Sequence, residues 1–139
     1  MKKSIGFILL LATTFVIHAQ SLTENDIIGT WTVKKINVLN KLPDDQAKTI
    51  DMLKEAFLKS KFTFNADNTF VFDFELEKMS IQNGHWKYNE YKKSFIIQDI
   101  KDKDTSDWKL MEIFPVKVGD KIIFKFPQLF IELEMNKEY

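Results

Sequence analysis

The sequence predicts an all-β domain, a single eight-stranded antiparallel up-and-down barrel with one helix between the first and second strands. After residue 29 the chain consists mainly of short runs in which apolar and polar residues alternate, as in half-buried strands. Turn-forming residues separate these runs. Only residues 43–59 repeat their apolar residues at helical spacing. A closed barrel is favoured because closure leaves no unpaired edge, and a two-layer sandwich is the alternative.

The N-terminus has the pattern of a secretory signal peptide. Lys2 and Lys3 precede a thirteen-residue apolar stretch over residues 5–17. This stretch is shorter than the roughly 20 residues that a membrane-spanning helix needs. Ala19 then supplies the small residue typical of a cleavage site. We therefore expect a signal peptide over 1–19 and one domain over 20–139, exported to the periplasm or secreted, and soluble after cleavage.

The composition argues against several classes of function. Without Lys2 and Lys3 the chain has 18 basic and 20 acidic residues, a net charge of about −2, which disfavours nucleic acid as a partner. No cysteine is present, so we expect neither a disulfide nor a lipid-modified cysteine as a membrane anchor. Every basic residue is a lysine, and the absence of arginine removes the group that binds carboxylates and phosphates in a bidentate manner.

The first strand and the helix are predicted from the spacing of apolar residues, which changes between them. Trp31 alternates with polar neighbours until Lys34 breaks the phase, which indicates a strand with a bulge. Pro43 suits the first turn of the helix predicted over residues 43–59. The apolar residues of this helix are Ala47, Ile50, Leu53 and Phe57.

The second and third strands form a hairpin with a definite register. If Asn65 faces Thr69, Asn68 takes the left-handed conformation that such a short loop needs. The opposing aromatic pairs on one face are then Phe64 with Phe70 and Phe62 with Phe72.

Five more strands follow a predicted turn at Asn83-Gly84. They span residues 85–88, 95–100, 108–114, 122–126 and 129–135. The last two form a hairpin that pairs charged residues outside and apolar residues inside. Its predicted pairs are Phe126 with Leu129, Phe124 with Ile131, and Lys121 with Glu134.

Glu112 has two interpretations. Unbroken alternation from Trp108 through Leu110 places its carboxylate inside the barrel, where it needs water or a partner. A bulge near Met111 exposes it instead.

Ten aromatic side chains are predicted to face the interior, and they are the candidate ligand-binding residues. They are Trp31, Phe64, Phe70, Phe72, Trp86, Tyr88, Phe95, Trp108, Phe124 and Phe126. The interior of an eight-stranded barrel either is filled by side chains or holds one small ligand. If the interior holds a ligand, the function is non-covalent binding of a small apolar molecule. The alternative is a filled barrel whose surface acts as a protein- or polysaccharide-binding module or inhibitor.

No sequence pattern predicts catalysis, a cofactor or a metal. Beyond the signal peptide the only histidine is His85, which falls in the outward phase if Trp86 points inward. Asp102, Asp104 and Ser106 place side-chain oxygens at alternate positions, as calcium loops do, but Asp107 stands where the glycine of the sixth position is needed. Ile113 stands where the closing glutamate is needed. We therefore expect a non-enzymatic protein without a cofactor.

Three short motifs occur within this layout: Gly29-Thr30-Trp31, Ala66-Asp67-Asn68-Thr69-Phe70 and Gly84-His85-Trp86. With them the chain resembles the lipocalin-like proteins that bacteria export, within the wider group of lipocalins and fatty-acid-binding proteins. The resemblance implies that Trp31 closes one end of the barrel under a late-strand base, which is Lys121 or Lys125 here. Fatty-acid-binding relatives hold the ligand carboxylate with arginine and tyrosine near the C-terminus, where this chain has only Tyr139. The resemblance favours the ligand-binding barrel over the filled one, and the absence of arginine indicates a neutral or weakly polar ligand.

Overall fold

Strands form most of the molecule, a computed structural model that describes residues 19–40, 43–76, 79–99 and 109–139. The helices are α1 (Glu24–Ile27) and α2 (Ala47–Leu58). The strands are β1 (Gln20–Ser21), β2 (Gly29–Val38), β3 (Lys61–Phe64), β4 (Thr69–Asp73), β5 (Ile81–Asn89), β6 (Ser94–Gln98), β7 (Lys109–Val118), β8 (Lys121–Phe126) and β9 (Ile131–Glu138). The predicted signal peptide up to residue 18, Trp108 and the acidic run 102–107 lie outside the described residues.

The predicted eight-stranded antiparallel barrel is confirmed. The strand order is β7-β6-β5-β4-β3-β2-β9-β8, and β8 pairs with β7 to close the sheet. Helix α2 lies between β2 and β3, the first two strands of the barrel, as expected. The sandwich is wrong because the strands form one continuous sheet. The structure adds β1, which pairs with β7 outside the barrel, and α1, which Thr23 caps.

The hairpin of β3 and β4 has the predicted register. Phe64 pairs with Phe70 and Phe62 with Phe72. Asn68 is left-handed, with φ of 67°, and the backbone N–H of Asn65 donates to the carbonyl of Thr69 at 3.0 Å. Local turn chemistry therefore determined this part of the fold.

The predicted bulge in β2 and the predicted helix are also present. The register of β2 against β9 shifts between Val33 and Lys35. A 3-10 turn over Asp44–Gln46 precedes α2, and the α-helix itself ends at Leu58. The hydroxyl of Ser60 donates to the carbonyl of Phe57 at 2.6 Å, which satisfies a backbone acceptor at the helix end.

The turn predicted at Asn83-Gly84 is wrong, because both residues lie within β5. The chain turns earlier, before Ile81. Gly84 pairs with Phe70 beside a register shift, and a Cβ on Gly84 would lie 2.8 Å from Ile81 Cγ2 and 3.0 Å from Phe70 O. The glycine thus permits close strand approach at a bulge rather than a turn.

The last hairpin differs from its predicted register by two residues. Phe126 pairs with Ile131, and Phe124 pairs with Leu133. The cause is the loop, in which Pro127–Leu129 form a 3-10 turn and Phe130 is left-handed, with φ of 53°. A shift of two preserves the face on which each side chain lies, so the inward positions of Phe124 and Phe126 were still predicted correctly.

Glu112 lies on the outer face because β7 contains a bulge next to Met111. The register against β6 shifts between Ile97 and Gln98, and Ile113 then faces the core. The Glu112 carboxylate is nevertheless largely covered, and it accepts hydrogen bonds from Ser94 Oγ at 2.6 Å and Lys109 Nζ at 3.1 Å. Burial raises the pKa of Glu112, but these two hydrogen bonds and the Lys109 charge lower it by more, leaving the pKa below its usual value.

Candidate functional site

Aromatic rings fill the middle of the barrel. The ring centroid of Phe64 lies 4.9 Å from that of Phe70, 6.1 Å from Trp86, 5.9 Å from Phe95 and 6.3 Å from Phe124. These four partners come from β4, β5, β6 and β8, so the contacts cross the interior. Such centroid separations are those of rings in direct contact. The described rings around Phe64 therefore pack against one another across the interior.

The predicted inward positions can be compared one by one. Eight of the ten aromatic residues are buried: Trp31, Phe64, Phe70, Phe72, Trp86, Phe95, Phe124 and Phe126. Tyr88 is half-buried and packs against this core. Trp108 lies outside the described residues. Their inward orientation follows from the alternation, whereas their role in ligand binding stays a prediction.

Trp31 closes one end of the barrel. Its side chain is only 3% exposed, and its indole Nε1 donates to the carbonyl of Ile27 at 2.8 Å. Its ring packs against Phe124, with centroids 5.3 Å apart. The Nζ of Lys137 lies 5.4 Å from the centre of the Trp31 ring system and donates to Asp26 O at 3.2 Å.

Lys137 therefore takes the place over Trp31 that was expected for Lys121 or Lys125. Those two lysines belong to β8, and Lys125 instead lies 4.0 Å from the Glu132 carboxylate. Lys137 is aligned with Trp31 across β2 and β9. Gly29 makes this arrangement possible, since its φ is 138° and a Cβ there would lie 2.7 Å from Lys137 Cε.

Helix α2 covers the other end of the barrel. Val38, at the far end of β2, is about 23 Å from Trp31 along the strand at the usual rise per residue. Phe57 anchors the C-terminal end of α2, with its ring centroid 4.9 Å from Phe74 and 6.3 Å from Phe72. The C-terminal end of α2 thus packs against the aromatic core at the end of the barrel opposite Trp31.

Between α2 and the rim lies a cavity of about 140 Å³, here called the mouth pocket. Where the structure describes it, its lining is apolar except for one lysine. The lining residues are Ile36, Val38, Ile50, Leu53, Lys54, Phe57, Met79, Leu129 and Ile131. Several apolar side chains around it are exposed, namely Leu39, Met79, Leu129 and Phe130. Exposed apolar groups around a concave apolar site are typical of a ligand-binding mouth.

The sequence pattern of the family described as lipocalin-like domain matches residues 27–114. The chain belongs to this family. The match runs from the end of α1 into β7, so it includes the Trp31 motif, α2 and the aromatic hairpin. It also confirms the resemblance drawn from the three short motifs.

Among solved structures, this lipocalin-like chain is similar to the crystal structure of a DUF4847 family protein from Bacteroides vulgatus ATCC 8482. The two are 16% identical, with 81% of this chain and 96% of that chain covered and a TM-score of 0.43. No curated protein matches the sequence.

The lipocalin-like barrel has a second concavity at its closed end. This cleft of about 670 Å³ is formed by β1, α1, the β7–β8 turn and the end of β9. Its walls are mixed, with exposed polar side chains such as Asn25, Lys117, Asp120 and Asn136 beside apolar ones that include Trp31. The two concavities therefore differ in chemistry, and only the mouth pocket suits an apolar molecule.

Sequence analysis did not identify the mouth pocket of this lipocalin-like chain. None of the nine candidate residues that the structure describes lines it. The apolar face of the helix, which includes Ile50, Leu53 and Phe57, was the sequence signal that could have indicated this pocket. Leu129 and Met79 gave no signal, because loop geometry brings them to the rim.

Two further findings concern membranes and metals. No helix within the described residues has the length and hydropathy needed to span a membrane. In the same part of the chain, no three histidine, aspartate or glutamate side chains are grouped closely enough to hold a metal ion.

Proposed function

We propose that this lipocalin-like protein is a non-catalytic binding protein that takes a small apolar molecule into the mouth pocket. The observation that carries this proposal is the apolar lining of that pocket under α2. Phe57 connects this pocket to the aromatic core. Its side chain lines the pocket, and its ring packs against Phe72 and Phe74 of the core.

The mouth pocket is small for a ligand site. Its volume of about 140 Å³ is smaller than the several hundred cubic ångströms of most ligand sites, so a larger ligand needs the site to open. Within α2, only Ala56 and Phe57 are buried. The half that contains Ile50 and Leu53 is less firmly packed. We infer that this half of α2 moves outward when a ligand enters.

The chemistry of the lining favours a neutral or weakly polar ligand. Burial of apolar surface contributes about 25 cal/mol per Å², whereas a charged head group loses its hydration on entering an apolar site. Among the described residues of the lining, Lys54 is the one charged side chain, and it is half-buried. The chain contains no arginine that would hold a carboxylate in a bidentate manner.

Leu53→Asp should weaken binding of a polarity-sensitive dye at least tenfold, because it puts a carboxylate into the apolar lining. Met52→Asp is the matched control, since Met52 is the neighbouring residue of α2 but is exposed and does not line the pocket. Fluorescence titration measures both, and thermal melting checks that both variants fold. Equal dye affinity in the two variants would mean that the dye binds outside the mouth pocket.

Competition in the same assay tests the ligand class. A long-chain alcohol should displace the dye at lower concentration than the matching fatty acid. If the acid competes better and Lys54→Gln removes its advantage, the ligand is an acid held by Lys54. If no probe binds saturably, the alternative of a filled barrel that acts through its surface is the better account.

We also propose that residues 1–19 are a signal peptide and that residues 20–139 are the exported domain. The charged start, the apolar stretch and Ala19 support this. Full-length protein produced in a Gram-negative host should appear in the periplasm or medium with Gln20 as its first residue. N-terminal sequencing measures this, and a product that retains Met1 or sediments with membranes after a salt wash would contradict the proposal.

A further inference from the structure

Met79 is both a wall of the mouth pocket and accessible to solvent. It lines the pocket, yet 47% of its surface is exposed. Its backbone N–H donates to the carbonyl of Leu76 at 2.8 Å, which holds it in the connection between β4 and β5. A soluble oxidant therefore has access to a thioether that an apolar ligand would contact.

The other described methionines do not combine these two properties. Met52, on α2, is 63% exposed but does not line the pocket. Met111 packs against the core, and Met135 is buried within it. Among the described residues, Met79 is the methionine at which oxidation would change the chemistry of the mouth pocket.

We propose that Met79 is a modification site at which oxidation by a peroxide lowers the affinity of the mouth pocket for its apolar ligand. This inference rests on the proposed function. The sulfur attacks one oxygen of hydrogen peroxide, an S–O bond forms, and the O–O bond breaks. The sulfur loses two electrons, the peroxide is reduced, and the other oxygen leaves as water after proton transfer.

The sulfoxide is incompatible with the neighbouring side chains. Phe57, Leu129 and Ile131 offer no hydrogen-bond donor, and a sulfoxide oxygen buried without one is unfavourable. The oxidised side chain either turns into water or bonds to Lys54, the one polar side chain among the described lining residues. Either response removes an apolar wall from the ligand. Methionine sulfoxide reductases reverse the reaction, so the change in affinity is reversible.

Two reciprocal variants test the inference. In Met52→Leu, peroxide should oxidise Met79, and the dissociation constant of the polarity-sensitive dye should rise about tenfold. In Met79→Leu, the same treatment should oxidise Met52 and change the dissociation constant by less than about twofold. Mass spectrometry of peptides measures the sulfoxide at each position, and fluorescence titration measures dye binding. Treatment of oxidised Met52→Leu with the reductases should restore the original affinity.

Three other outcomes would contradict either the proposed function or the inference about Met79. If unoxidised protein binds no dye, the proposed function fails and this inference fails with it. If unoxidised protein binds dye and oxidised Met52→Leu binds it equally well, only the inference about Met79 fails. If Met79 reacts no faster than the buried Met135, its assignment as an accessible oxidation site is wrong.

Discussion

Trp31→Ala should lower the free energy of unfolding by about 3–5 kcal/mol, the usual cost of truncating a buried aromatic side chain. The variant loses the contact with Phe124 and leaves the buried carbonyl of Ile27 without its indole donor. It also removes the ring over which Lys137 lies. Closure of this end of the barrel therefore depends on one side chain.

Urea unfolding measures this prediction, with His85→Ala as the control. His85 lies on the outward face of β5, and its truncation should change stability by no more than about 0.5 kcal/mol. Trp31→Phe should have an intermediate effect because it keeps most of the packing but loses the hydrogen bond to Ile27. Small and equal losses in Trp31→Ala and His85→Ala would mean that Trp31 does not close the barrel.

Phe64→Ala should also cost about 3–5 kcal/mol, and it should open a cavity in the centre of the barrel. Phe64 is fully buried and touches rings from four other strands. Because these rings are held by β-strands, they collapse only partly into the vacated space. An apolar cavity of this kind stays dry and takes up benzene, which then stabilises the folded state.

The measurement is thermal melting with and without benzene. Benzene should raise the melting temperature of Phe64→Ala by more than it raises that of the unmodified protein. Phe130→Ala is the matched control, since Phe130 is exposed in the β8–β9 loop and its truncation should cost less than about 1 kcal/mol. If the two phenylalanine variants lose equal stability, the centre of the barrel is not filled.

The correct and incorrect parts of the sequence-based fold have a common physical basis. The β3–β4 hairpin was predicted residue by residue because Asn68 and the alternating phenylalanines determine its register locally. At Asn83-Gly84 the same turn rule failed. The glycine there is required by the close approach of Phe70 on β4, a neighbour that turn propensity does not include.

The candidate site followed the same division. The inward direction of the aromatic residues was predictable, because alternation assigns each strand position to a face. Whether those rings enclose a cavity depends on how far they reach across the barrel, and the sequence left both outcomes open. In the structure, Phe64 contacts rings from four other strands, so the rings pack against one another in the middle of the barrel.

By itself the sequence determined the barrel class, the position of α2 and the aromatic core, since these depend on period and turn residues. The closing role of Trp31 was implied by the family resemblance. Only the tertiary structure decided that Lys137 covers Trp31, because its position depends on the register of β9 against β2. It also decided that the apolar pocket lies under α2, where Leu53 and Met79 meet. Residues 26 positions apart in the chain become neighbours there through packing of a helix on a barrel rim, and no local pattern encodes that distance.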